Sequence, residues 1–267
     1  MLIDLHMHTS RCGHAEGCPA EYVSAARAAG LDIIAFTDHL ALPDGYDPDG
    51  EYAMRPHELP EYVAEVQAAA RGSSAPRVFL GIEADWVPGH VPDTARALAA
   101  HPFDVVLGSV HFLQEWAFDD PARIDGWSLR DVAGAWEEYF STLVDAASSG
   151  LFDVMAHPDL VKKFGHVPPG DLSSLFDDVA GALADAGVAV EVSSAGLRKP
   201  CAELYPSDGL LAAFRRAGVP ATTSSDAHTP AEVGAGLDEA RSALRRAGYE
   251  SIVYFEAREM REVPLWE

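Results

Sequence analysis

The sequence predicts one α/β domain built on a parallel sheet. Short apolar runs rich in β-branched residues alternate with longer Ala-rich stretches of helical spacing, and glycine follows several of those stretches. Strand–helix alternation of this kind means parallel strands joined by crossover helices. The near-continuous apolar character of the strands fits a sheet covered on both faces. In order, strand Leu2–His6 leads to helix Ala20–Ala29, Asp32–Thr37 to Glu58–Arg71, and Arg77–Glu83 to Pro92–Ala100. Asp104–Val110 leads to Leu129–Ser149, Phe152–His157 to Leu172–Ala186, Val188–Ser193 to Leu210–Ala217, and Ala221–Ser225 to Leu237–Ala247. An apolar stretch, Ser251–Phe255, follows the last helix. Gly30, Gly72, Gly150, Gly187, Gly218 and Gly248 stand where helix C-caps need a residue tolerant of positive φ. The segment Ala41–Arg55, rich in Gly, Pro and Asp, reads as a surface excursion with the character of a lid.

This pattern leaves a doubly wound sheet and a barrel both open. No GxGxxG or GxxxxGK[ST] follows the first strand, so the nucleotide-binding versions lose support. There is no fixed-period repeat, low-complexity tract or linker, and residues 1–267 read as a single domain.

Composition narrows the function. With 267 residues and 48% hydrophobic content the chain can bury a sizeable core, which excludes a disordered protein. Apolar stretches are broken well before the ~20 residues of a membrane span. The start, MLIDLHMHTS, lacks the basic and apolar regions of a signal peptide. Cys12, Cys18 and Cys201 cannot form a disulfide framework, which points to a reducing compartment, and a cytoplasmic protein is expected. A formal charge of −23, from 42 acidic and 19 basic residues, argues against nucleic acid as partner.

Chemistry concentrates in the histidines. His6 and His8 close the first strand as His-x-His, and alternation puts their imidazoles on one face, with Met7 turned to the core. His14 follows in the same loop. Asp38-His39 ends the second strand, Glu83 the third, His111 the fourth and His157 the fifth, while Asp226-x-His228 follows the seventh. The carboxyl ends of parallel strands open on one face, where active sites are built. Imidazoles and carboxylates gathered there are poorly stable without a cation, whereas divalent metals use them as ligands, so a multinuclear metal site is expected. A lone buried histidine is more often a core residue; it is the convergence of nine donors on one face that carries the expectation. His57, His90, His101 and His166 fall away from strand ends and read as surface residues, and Cys12 and Cys18 as reduced loop cysteines.

The set HMH (6–8), His14, TDH (37–39), Glu83, His111, His157 and DAH (226–228) resembles the polymerase and histidinol phosphatase (PHP) superfamily over essentially the whole chain. The resemblance implies a distorted (β/α)7 barrel with a trinuclear metal centre at the carboxyl-end face. Carried over residue by residue, it gives His6, His8, Glu83 and Asp226 to one metal, and lets Glu83 bridge to a second completed by His111 and His157. It gives His14, His39 and His228 to a third. The segments GIEADW (81–86), AHPDLVKKFG (156–165), EVSSAGLRKP (191–200) and ELYPS (203–207) are similar to the stand-alone histidinol-phosphatase branch, which commonly has Asn where this chain has Ser193.

Such a branch member is a metal-dependent phosphomonoesterase that hydrolyses L-histidinol phosphate to L-histidinol and phosphate. Two metals bridged by a carboxylate lie ~3.5–4 Å apart and can share a hydroxide, here held through Glu83, as nucleophile. Three divalent ions, Zn, Mn or Fe, are expected, because mixed nitrogen and oxygen ligands do not choose among them. Arg198, after the sixth strand, is the expected bidentate clamp on the phosphate, with Lys162 and Lys163 as further contacts. The leaving-group acid is open between a metal-bound water and Asp159. The alternative enzyme readings are a phosphodiesterase or nuclease, or a phosphatase acting on another small phosphorylated metabolite; the missing basic groove and aromatic stacking platform weigh against the nuclease. A non-catalytic metal-binding module would lack ligands or phosphate-binding cations, and this sequence has both.

Overall fold

A computed structural model describes residues 1–266. Its first half runs β1 (Ile3–Asp4), α1 (Pro19–Ala28), β2 (Ile33–Phe36), α2 (Leu59–Gly72), β3 (Arg77–Asp85), α3 (Val91–Ala99) and β4 (Val105–Ser109). A small hairpin of β5 (Phe112–Leu113) and β6 (Trp116–Ala117) precedes α4 (Val132–Ser148). Then come β7 (Val154–Met155), α5 (Ser173–Ala186), β8 (Ala189–Ser193), α6 (Asp208–Ala217), β9 (Ala221–Ser224) and α7 (Leu237–Ala247). A C-terminal hairpin of β10 (Ser251–Glu256) and β11 (Glu259–Pro264) closes the described chain.

Seven strands form one parallel sheet in the order β1-β2-β3-β4-β7-β8-β9. The order never reverses, so there is no switch point of the doubly wound kind. The sheet instead curls until its edges meet. Leu5 N–H donates to Thr223 O at 3.2 Å, Thr223 Oγ1 to Ile3 O at 2.7 Å, and Met7 bridges Ala227. The buried Asp4 carboxylate adds a stitch, accepting from Ser225 N, Ser225 Oγ and Gly234 N at 2.6–3.0 Å. The result is the nearly closed seven-stranded (β/α) barrel that the resemblance implied, helices outside and strand ends opening together.

β3 is the hinge of this curvature. Arg77–Leu80 pair with β2 and Gly81–Asp85 pair with β4. Gly81 stands at the handover, where a Cβ would lie 2.6 Å from Thr37 Cγ2 and 2.8 Å from Phe36 O. Glu83 and Asp85 are thereby carried into the barrel mouth. On the outside, α4 buries Ala135, Trp136, Tyr139, Phe140, Leu143, Ala146 and Ala147, a helical stripe started by the Asp131 cap on Gly134 N at 2.9 Å.

Most elements fall within a few residues of the expected bounds, but β1 and β7 are shorter, because their last residues leave the ladder to face the site. Neither hairpin was anticipated. The β10–β11 turn holds Ala257 and Arg258 at φ of 52° and 65°, a conformation that Asn-Gly usually signals.

Candidate metal and active site

Glu83 stands at the centre of the barrel mouth, fully buried, with imidazoles on both sides of its carboxylate. Oε2 lies 3.0 Å from His6 Nε2, 3.1 Å from His39 Nδ1 and 3.4 Å from His8 Nε2. Oε1 lies 3.1 Å from His157 Nε2 and 3.9 Å from His111 Nε2. One carboxylate therefore faces two separate sets of nitrogen donors. Asp226 Oδ1 closes the first set, 3.3 Å from His8 Nε2 and 3.7 Å from His6 Nε2. His14 and His228 form a third cluster, Nε2 to Nε2 at 3.1 Å, with the His39 ring 5.4 Å from that of His14.

This packing of nitrogen and oxygen donors fits the ligand set of divalent cations. His6 Nε2 and His8 Nε2 are 2.9 Å apart, and two imidazole lone pairs at that distance repel. Asp226 Oδ1 and the Nδ1 atoms of His8, His39 and His157 are buried without hydrogen-bond partners. Burial holds His8 below the usual imidazole pKa and His39 and His228 well below it. Burial alone would raise the Glu83 pKa, but the facing imidazoles, His39 and His6 foremost, hold it well below the carboxylate range. Asp226 is likewise kept ionised against burial by His6, His8 and His228. Groups of three donors within 4.8 Å of one another include His6/Glu83/His157, His6/His8/Asp226 and His8/His39/His228. The residues present can hold metal.

Carboxylates stand behind three of the donors. Glu191, on β8, lies 2.7 Å from His6 Nδ1 and accepts His157 N–H at 2.7 Å. Asp85 lies 2.9 Å from His111 Nδ1; burial alone would lower the His111 pKa, but Asp85 lifts it to about 10. Sequence reasoning passed over both. The available signals were a glutamate inside the otherwise uncharged strand AVEVS, and Asp85 two residues beyond Glu83 on the same strand face.

The donors open on a cavity of about 560 Å³ lined on its metal side by His14, His39, Glu83, His111, His157, Asp226 and His228. Its other walls carry Tyr52, Phe112, Asp119, Asp120, Lys163 and Lys199. Lys163 donates to Asp119 at 2.9 Å. The two adjacent lysines are separated by the fold. Lys162 turns inward, where its ammonium meets Asp159 at 2.9 Å, Glu203 at 3.2 Å and Leu204 O at 2.7 Å. Asp159 is fully buried and also caps Ser207 N at 2.7 Å, so it lies beneath the cavity rather than on its surface. Arg198 stands beside Asp226: Nη2 donates to the carbonyls of Ser225 and Asp226 at 2.8 and 3.2 Å, and Nε faces Glu232 at 3.2 Å.

The expected lid, Ala41–Arg55, arches over the cavity and is pinned there. Tyr52 donates to Asp120 Oδ2 at 2.5 Å, Met54 N–H to His39 O, and Asp47 accepts from Glu51 N and Ala53 N. Cys12 is buried with Sγ donating to Thr9 O, and burial beside Asp38 raises its pKa, so it stays a thiol. Cys18 is exposed at the start of α1. No helix among the described residues is long and apolar enough to cross a membrane.

Comparison with known proteins agrees with this geometry. The PHP domain matches residues 4–195. A protein of Deinococcus radiodurans described as a probable histidinol-phosphatase is 41% identical over 256 residues, covering 95% of this chain and 96% of its own. The histidinol-phosphatase of Lactococcus lactis is 24% identical over 262 residues, covering 95% and 94%. A crystal structure of the Lactococcus lactis histidinol phosphate phosphatase, complexed with zinc, L-histidinol and phosphate, superposes with a TM-score of 0.82 at 23% identity. That match covers 97% of this chain and 98% of the other. With a domain match spanning most of the barrel and a relative of this identity aligned nearly end to end, the chain belongs to the PHP domain family.

Proposed function

We propose that this protein is a metal-dependent phosphomonoesterase that hydrolyses L-histidinol phosphate to L-histidinol and phosphate. The observation that carries the reading is Glu83, whose two carboxylate oxygens face two different imidazole sets at the floor of a cavity with cationic side chains on its far wall. The similarity to proteins described as histidinol-phosphatases supports the substrate.

His6, His8, Glu83 and Asp226 would hold one cation, Glu83, His111 and His157 a second, and His14, His39 and His228 a third, as zinc, manganese or iron. Bound divalent cations supply charge opposite the phosphoryl oxygens and make water acidic enough to attack phosphorus near neutral pH. The chain's own groups do the rest. Glu83 stays ionised between the two imidazole sets. Lys163, half-buried and paired with Asp119, can turn its ammonium to the phosphate, Lys199 faces the same cavity, and Arg198, outside the cavity lining, stands beside Asp226, whose carbonyl it contacts. These cations offset the repulsion between a dianionic ester and a chain of net charge −23. The loop held by Tyr52 and Asp120 supplies Glu51 and Tyr52 to the cavity lining.

Metal analysis of purified protein together with assays on histidinol phosphate, p-nitrophenyl phosphate and bis-p-nitrophenyl phosphate tests the reading. The expected result is close to three divalent ions per chain, loss of activity on chelation, return of activity with zinc or manganese, and preference for the monoesters. One or no ion in active protein would overturn the three-metal site, and faster diester cleavage would move the enzyme to the phosphodiesterases.

A further inference from the structure

We infer that Glu191 is a positioning residue for the metal site: a single buried carboxylate orients the His6 imidazole and the His157 backbone, and so sets both sides of Glu83. The inference rests on the metal-holding reading above, and it concerns a residue outside the nine donors. Glu191 is the only charged residue in β8 and is 1% exposed. Its two oxygens are both engaged, Oε1 with His6 Nδ1 at 2.7 Å and Oε2 with His157 N–H at 2.7 Å. Glu191 is in none of the donor groups whose atoms lie within 4.8 Å of one another, so it stands behind the donors.

The chemistry of each contact is directional. An ionised carboxylate only accepts hydrogen bonds, so the nitrogen of His6 facing Glu191 is the one that carries hydrogen. Nε2 is then the nitrogen left for a cation, which would take its lone pair on the side of Glu83 Oε2 and His8 Nε2. A carboxylate behind a ligating imidazole fixes its ring and raises its basicity. The second contact restrains a backbone. His157 has φ of 28°, an unfavourable conformation for a residue with a Cβ. Three hydrogen bonds hold it there: Glu191 accepts from its N–H, and its carbonyl accepts from Tyr139 Oη at 3.1 Å and from Leu160 N–H at 2.9 Å. That conformation aims His157 Nε2 at Glu83 Oε1, 3.1 Å away. Because β9 lies between β8 and β1, the link from Glu191 to His6 crosses the barrel interior and ties the two donor sets together.

Glu191→Gln separates positioning from filling space. The amide keeps the volume but can offer its oxygen to only one of the two N–H groups. If its NH2 faces His6 Nδ1, the ring hydrogen moves to Nε2 and the lone pair leaves the metal side. Zinc affinity, measured by competition with a chromophoric chelator on metal-stripped protein, is expected to fall ~10–100-fold in Glu191→Gln and Glu191→Ala. The rise in melting temperature on adding zinc should shrink with it, while the metal-free variant keeps its circular dichroism spectrum. A variant with wild-type zinc affinity and only a lower metal-free stability would reduce Glu191 to structural support. Should the metal-free variants fail to fold, zinc-loaded protein chased with excess chelator decides: release at least ~10-fold faster than wild type is expected, and an unchanged rate overturns the inference. Wild-type protein is the control that keeps the two readings apart. Failure of the wild type to bind zinc overturns the metal site itself, whereas equal binding by wild type and Glu191→Gln overturns this inference alone.

Discussion

The metal-facing wall and the cation-bearing rim enclose the same cavity but are built by different means. The wall consists of side chains at or just beyond strand ends, and the barrel closure decides where they point. Glu83, His6, His8 and His157 are all nearly or fully buried, and their neighbours are other donors or the carboxylates Glu191 and Asp85. The rim consists of loop residues, where each cation's position depends on a local turn and on its acidic partner: Lys163 on Asp119, Arg198 on Glu232. A strand end is placed by the whole sheet and its donors share Glu83, so a change in one is felt by the set. A loop cation is placed by one or two hydrogen bonds. Losses on the wall should therefore be large and tied to metal, whereas those on the rim should be smaller and tied to substrate.

Glu83→Gln tests the wall most severely. Replacing one carboxylate oxygen with an amide removes charge and an acceptor from one of the two imidazole sets. A loss of at least ~10²-fold in kcat is expected, with metal content below wild type. Near-normal turnover in that variant would show that Glu83 does not serve both sets.

Asp159 probes the ground beneath the rim. Its carboxylate holds the buried Lys162 ammonium and the Ser207 N–H. Asp159→Asn should lower unfolding stability by ~2 kcal/mol, since a buried cation loses its closest anion. Turnover of p-nitrophenyl phosphate should hardly change. If Asp159 instead delivers the leaving-group proton, kcat would fall with histidinol phosphate, whose alkoxide needs that proton, and not with p-nitrophenyl phosphate.

What could be read in the sequence follows the same division. His6-x-His8, His39, Glu83, His111, His157 and Asp226-x-His228 were visible because parallel topology sends all strand ends to one face, so position along the chain encodes position in space. Closure of the sheet was not visible, because strand–helix alternation is common to barrels and open sheets; resemblance supplied it, and the hydrogen bonds of Ile3 and Leu5 with Thr223 show the edges meeting. At the rim the encoding fails. Lys162 and Lys163 are neighbours in sequence, yet a single short turn over Leu160–Lys162 buries one and presents the other to the cavity. Glu191 was missed for a different reason: its partner His6 lies across the barrel, and no local pattern records a contact through the interior.

Arg198→Ala tests whether the rim contacts substrate directly. A guanidinium reaching phosphate contributes charge-assisted hydrogen bonds of ~1.5–3 kcal/mol each, so its removal should cost at least ~10-fold in kcat/KM on both histidinol phosphate and p-nitrophenyl phosphate, with metal content intact. Loss on histidinol phosphate alone would assign Arg198 to the leaving group. Loss of metal along with activity would mean that Arg198 acts by holding the Asp226 backbone, which sits at φ of 49° and whose carbonyl it contacts at 3.2 Å.

The smallest effect is expected where the loop over the cavity meets its rim. Tyr52 donates to Asp120 at 2.5 Å, and Asp120 in turn caps Ala122 N at 2.8 Å, so one hydroxyl ties the Ala41–Arg55 excursion to the turn that follows β6. Tyr52→Phe keeps the ring against Phe112, whose centroid is 6.1 Å away, and removes only that tie. A hydrogen bond of this kind is worth about 1 kcal/mol net, or roughly fivefold in an equilibrium. The loop retains its other anchors, Met54 N–H on His39 O and the Asp47 contacts. A rise of a few-fold in KM for histidinol phosphate is therefore expected, with kcat and metal content unchanged. A collapse of kcat would place the Tyr52 hydroxyl in contact with the reacting groups. An unchanged KM would show that the remaining anchors suffice to hold the loop, and that the rim tolerates loss of a contact where the wall does not.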